Sequence, residues 1–135
     1  MSKNRLPKFL VRHSFTLIEM MTVVVIVTIL VALAVPNYLA TREGAVDKEA
    51  TSALRLVYAA NKQYFAKSEF FYPVSGSNNN IATINGNLSI DLNANNWVYT
   101  LSGTGATYTA QATRNGRTWS VSQANPTPTC TGSCL

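Results

Sequence analysis

The apolar run from Phe15 to Val35 constrains this chain more than any other feature. Of its 21 residues only Thr16, Glu19, Thr22 and Thr28 are not plainly apolar. As an α-helix it would be about 31 Å long, enough to cross the hydrocarbon core of a bilayer. Its Val and Ile content is not ideal for an isolated helix. Lipid nevertheless imposes helix, because it leaves backbone groups no other partner. The anomaly is Glu19. An acid inside a spanning helix costs on the order of 3 kcal/mol and is normally met by a partner.

Charge is distributed to match. The formal net charge of +5 misleads, because Lys3, Arg5, Lys8 and Arg12 all lie in the first twelve positions, with no acid among them. From Phe15 onward seven basic residues face six acids, a net of +1. Positive charge ahead of an apolar segment is an orientation signal that holds that end in the cytoplasm. It is poor support for nucleic-acid binding, which needs the charge on the folded domain. A nucleic-acid partner is open to this chain but not indicated.

Four segments follow. Residues 1–14 are a basic leader, and 15–35 the apolar helix. Residues 36–67 read as an amphipathic continuation. Val46, Ala50, Ala53, Leu54, Val57, Ala60 and Tyr64 recur at three- and four-residue steps, with Lys48, Thr51, Arg55 and Lys62 on the opposite face. Pro36 removes a hydrogen bond and predicts a kink in one long, bent helix. Residues 68–135 form a head. Its opening stretch, Phe70–Asn87, is turn-rich and reads as a surface loop. Strands are expected at Trp97–Leu101, Tyr108–Thr113 and Thr118–Ser122, with Asn115-Gly116 as a hairpin turn. Three or four antiparallel strands against the helix give an α+β class. Trp97, Tyr99, Tyr108 and Trp119 are expected as core rather than as a recognition patch.

Cys130 and Cys134 close the sequence in a Pro-rich tail. Their spacing is neither the C-x-x-C redox pattern nor a zinc set. In an exported domain a structural disulfide is expected, worth roughly 2 kcal/mol in the chain-entropy model. A free or redox-active pair is the alternative.

Three readings compete for the N-terminus: a plain single-span anchor, a secretory signal cut after Ala32-Leu33-Ala34, and a processed assembly helix. The residues "SFTLIEMMTVVVIVTILVALAVPNY" resemble the N-terminus of type IV pilins and type II secretion pseudopilins. The resemblance implies cleavage by a prepilin peptidase between Ser14 and Phe15, then N-methylation of Phe15. Glu19 matches the glutamate of that motif, Pro36 a helix-kinking proline found in many members, and Tyr38 a frequent tyrosine. Ser14 departs from the family, which strongly prefers Gly before the cut. The physics of assembly agrees with the resemblance. Cleavage exposes a cationic amine on Phe15, and that amine can pair with a neighbour's Glu19. A signal peptide cut at Ala34 would discard the acid to no purpose.

Catalysis is poorly provided for. The single histidine, His13, lies in the leader, and Asp91 is the only acid after Glu69. A paired-carboxylate site in the strand region is not available and no Gly-rich phosphate loop appears, so neither enzyme, cofactor nor metal site is expected. Major pseudopilins commonly carry a C-terminal calcium site built from acids, and one aspartate is too few for it. The resemblance therefore implies a pilin-like α+β fold and a filament subunit serving adhesion, motility or DNA uptake. A type II secretion pseudopilin and a non-polymerising tethered binding module are the alternatives. The implied partners are copies of itself or other pilins, the prepilin peptidase, an assembly platform and inner-membrane lipid. The implied location is the inner membrane, with the head outside the cytoplasm, and afterwards a filament.

Overall fold

A computed structural model describes residues 16–134, and the chain divides into two units, 1–40 and 41–135. Helix α1, Leu17–Ser68, begins in the first unit and ends in the second. Every described residue of the first unit is exposed. Its threonines fit an apolar helix because they bond backward along it. Thr22 Oγ1 donates to the Ile18 carbonyl at 2.8 Å and Thr28 Oγ1 to the Val24 carbonyl at 2.7 Å. The helix includes Pro36. One residue later the Asn37 amide donates to the Leu33 carbonyl at 3.4 Å.

In the second unit α1 presents a stripe at alternating three- and four-residue steps: Asp47, Ala50, Leu54, Val57 and Asn61, all buried. Lys48, Arg55 and Lys62 are exposed, as the periodicity predicts. Apolar periodicity does not predict the two polar ends of the stripe, and each has a dedicated partner. Asn61 Oδ1 accepts from the Tyr72 backbone N–H at 2.8 Å, and its Nδ2 donates to the Tyr72 carbonyl at 2.7 Å. A buried amide is tolerated only when its groups are met in this way.

Five antiparallel strands complete the head: β1 (Gly76–Asn78), β2 (Val98–Gly103), β3 (Tyr108–Arg114), β4 (Arg117–Ser122) and β5 (Thr129–Gly132), in the order β1-β2-β3-β4-β5. Asn115 and Gly116 both take positive φ, 48° and 76°, as a two-residue hairpin turn of the twist-matched kind demands. Alternation along the strands separates two faces. One carries Tyr99, Leu101, Tyr108, Ala110, Ala112 and Val121 into the core with Ala50, Leu54 and Val57. Trp97 joins them, its Nε1 donating to the Val46 carbonyl at 3.0 Å. Trp97, Tyr99 and Tyr108 are buried and Trp119 is partly buried against the core, as expected of all four.

Three expectations need correction. The Phe70–Asn87 stretch is not simply a loop, since it holds β1 and most of helix α2 (Ile81–Leu88). Helix α2 is started by Asn80, whose Oδ1 accepts from the Thr83 N–H at 3.2 Å, and is held by buried Ile84 and Leu88. Five strands form rather than three or four, because Gly76–Asn78 pairs with β2 and the C-terminal tail supplies β5. The tail is thus part of the sheet as well as the site of the Cys130–Cys134 disulfide, which is formed.

Candidate assembly site

Thr16 and Glu19 make a capping box at the start of α1. Glu19 Oε2 accepts from the Thr16 backbone N–H and from Thr16 Oγ1, both at 2.9 Å. Thr16 Oγ1 in turn accepts from the Glu19 N–H at 3.3 Å. The pattern T-x-x-E satisfies otherwise orphaned donors at the first turn. Glu19 is therefore held within its own chain by Thr16. The sequence "TLIE" carries the signal for this, which is obscured when the acid is read only as an assembly group. Ser14 and Phe15 lie outside the described residues.

Beyond Glu19 the helix offers an apolar surface that no described residue covers. Leu17 is 79% exposed and Leu30 61%. Among the described residues α1 is the one helix long and apolar enough to cross a membrane. An exposed apolar surface of this extent marks a contact with lipid or protein.

The second unit holds an ion cluster that the sequence gives no sign of. Glu43 and Asp47 stand one turn apart on α1, and Arg114 and Arg117 flank the β3–β4 turn. Arg114 donates to both carboxylate oxygens of Glu43, at 2.9 and 3.4 Å. Arg117 also pairs with Glu43. Its other nitrogen lies 3.0 Å from Asp47 Oδ1 and donates to Oδ2 at 3.2 Å. Arg117 and Asp47 are buried while Glu43 is a third exposed, so this is a partly desolvated fork holding a hairpin to a helix. The Arg117 hydrogen bond, then that of Arg114, holds the Glu43 carboxyl below its ordinary value. Glu43 likewise raises Arg117. Both arginines are matched by the two carboxylates.

Tyr99 and Tyr108 are buried phenols of the core. Burial, and secondarily Glu49, pushes Tyr99 up to about 12, and burial raises Tyr108 as well. Both stay neutral across the physiological range.

Comparison with known proteins falls on the N-terminal part of the chain. The prokaryotic N-terminal methylation motif matches residues 11–35. The type IV major pilin protein PilA of Myxococcus xanthus (strain DK1622) is 39% identical over 57 residues. That match covers 42% of this chain and 26% of the relative, so the chain spans about a quarter of the curated protein it matches. No solved structure matches. The head, a long helix on a small antiparallel sheet, has the α+β architecture expected of pilins. The chain is thus type IV pilin-like, by a methylation motif at its N-terminal end and by a pilin relative matched over part of its length.

Proposed function

We propose that the chain is a structural, non-catalytic subunit of a type IV pilus-like filament. In this reading prepilin peptidase cuts between Ser14 and Phe15 and methylates Phe15. The helix then leaves inner-membrane lipid, through an assembly platform, to pack among copies of itself or other pilins. The head stands outside the cytoplasm and serves adhesion, motility or DNA uptake. The observation that carries the reading is Glu19, fixed by its capping box at the head of an apolar helix that no described residue of its own chain covers. A positive Phe15 amine from a neighbour would neutralise that carboxylate where lipid or packed helices exclude water. Methylation keeps the positive charge, so the pairing survives it.

Mass spectrometry of the mature protein from sheared surface material tests the reading. It expects a chain beginning at N-methylated Phe15. A mature chain beginning at Val35 would overturn it in favour of a secretory signal. Crosslinking in cells that yields only monomers would favour a tethered binding module.

A further inference from the structure

Two Asn-Gly pairs occur in this chain, Asn85-Gly86 and Asn115-Gly116. Such a pair carries a latent reaction. Glycine has no side chain to shield its backbone nitrogen, so that nitrogen can attack the asparagine side-chain carbonyl and expel ammonia. The fold treats the two pairs in opposite ways.

Asn85 is locked. Its Oδ1 accepts from the Leu92 N–H at 2.9 Å, and its Nδ2 donates to the Leu92 carbonyl at 3.1 Å. Its own carbonyl accepts from the Ile90 N–H at 3.1 Å. Gly86 lies within α2, where backbone nitrogens are engaged in helical hydrogen bonds. Attack on Cγ of Asn85 would need the helix and both side-chain bonds to break together.

Asn115 has no such ties. It and Gly116 are exposed at the tip of the β3–β4 hairpin, beside an open hollow lined also by Asn96, Thr113 and Thr118. Among the described residues neither the Asn115 side chain nor the Gly116 N–H has a hydrogen-bond partner. Opening of an exposed hairpin tip is a local event that leaves the core intact. The tip is nevertheless consequential. It joins Arg114 to Arg117, which pair across β3 and β4 and together engage Glu43 and Asp47. The end of β5 closes over it. The Ser133 N–H donates to the Gly116 carbonyl at 3.3 Å, and a Cβ on Gly132 would collide with that oxygen.

We propose that Asn115 is a deamidation site, and that its isoaspartate product loosens the hairpin from α1. Base removes the Gly116 N–H proton, the nitrogen bonds to Cγ of Asn115, and the Cγ–Nδ2 bond breaks with loss of ammonia. Water then opens the five-membered imide. Opening at Cγ gives aspartate. Opening at the main-chain carbonyl gives isoaspartate, whose backbone runs through the former side chain and is one carbon longer. Each event consumes one water, releases one ammonia and needs no oxidant or reductant. A two-residue turn sets the register of its strands. The extra carbon therefore shifts Arg114 against Arg117 and strains their shared grip on Glu43 and Asp47.

The test is incubation of the full chain in detergent at neutral and mildly alkaline pH. Chymotryptic peptides are then read by mass spectrometry, with electron-transfer fragmentation to separate aspartate from isoaspartate. Asn115 should convert, faster in the alkaline buffer, while Asn85 keeps its amide over the same interval. In urea, with the fold removed, both pairs should convert at similar rates. The denaturation midpoint of the folded protein should fall as isoaspartate accumulates. Asn115→Gly keeps a residue suited to positive φ and removes the amide, so its midpoint should not change on incubation. Equal conversion of the two pairs in the folded protein, or none at Asn115, overturns the proposal. Protection of Asn85 that persists in urea overturns its structural cause. An unchanged midpoint in converted protein, or an equal fall in Asn115→Gly, overturns the effect on the hairpin. Single subunits are measured, so none of these outcomes bears on the filament reading.

Discussion

Two stretches of α1 show opposite ways of making a helix persist. From Leu17 to Val35 every side chain is exposed, and polar groups are met inside the helix, by the Thr16–Glu19 box and by Thr22 and Thr28 bonding backward. From Asp47 to Asn61 the stripe is buried, and its polar ends are met by Arg117 and by the Tyr72 backbone. The second stretch is completed by its own chain. No described residue of the chain covers the first.

The largest effect tests the uncovered stretch. Glu19→Ala is expected to abolish sheared filaments, as seen by electron microscopy, while the protein remains in the membrane fraction. Normal filaments would remove the pairing argument. The next concerns the covered stretch. Arg117→Ala leaves Asp47 buried without its partner and should destabilise the head by about 3–5 kcal/mol in denaturant unfolding followed by tryptophan fluorescence. The double variant Asp47→Leu with Arg117→Met should recover most of that loss, and no recovery would mean that packing, not charge, is at stake.

A leucine pair sharpens the contrast directly. Leu54 is fully buried and Leu30 largely exposed. Leu54→Ala should cost the head about 3 kcal/mol, whereas Leu30→Ala should leave the same unfolding curve in place. Equal effects would erase the distinction. The smallest effect is with pH. The folded value of Glu43 is lowered, so its contribution is complete above the ordinary glutamate value of about 4.3 and is lost as pH falls through the folded value. Wild-type stability should therefore fall more steeply than that of Glu43→Gln below about pH 4.3, as read by denaturation midpoints. Parallel curves would exclude the linkage.

Local patterns are legible in the sequence where one element decides them. The apolar run, the three-four periodicity of α1 and the Asn115-Gly116 turn each carry their own signal. Helix α2 is hidden because Asn85, Gly86 and Asn87 imitate a turn, although Ile81, Ile84 and Leu88 keep helical spacing. Strand β5 is hidden behind Pro126 and Pro128, which read as tail. The ion cluster is not legible at all. Glu43 and Arg117 are 74 positions apart, and only the return of the hairpin onto the helix joins them. At the candidate site Glu19 is conspicuous, while its partner Thr16 is masked by the apolar run around it.

The fork between Arg117 and the two acids also has a mechanical meaning. In a fibre pulled along its axis, tension carried by α1 enters the head at its first turns, where Glu43 and Asp47 stand. The fork cross-links these turns to the β3–β4 hairpin and passes force sideways into it. Strands joined side by side through a full ladder then share it. A fibre of such subunits would yield at lower force in acid, where Glu43 is protonated, than at neutral pH.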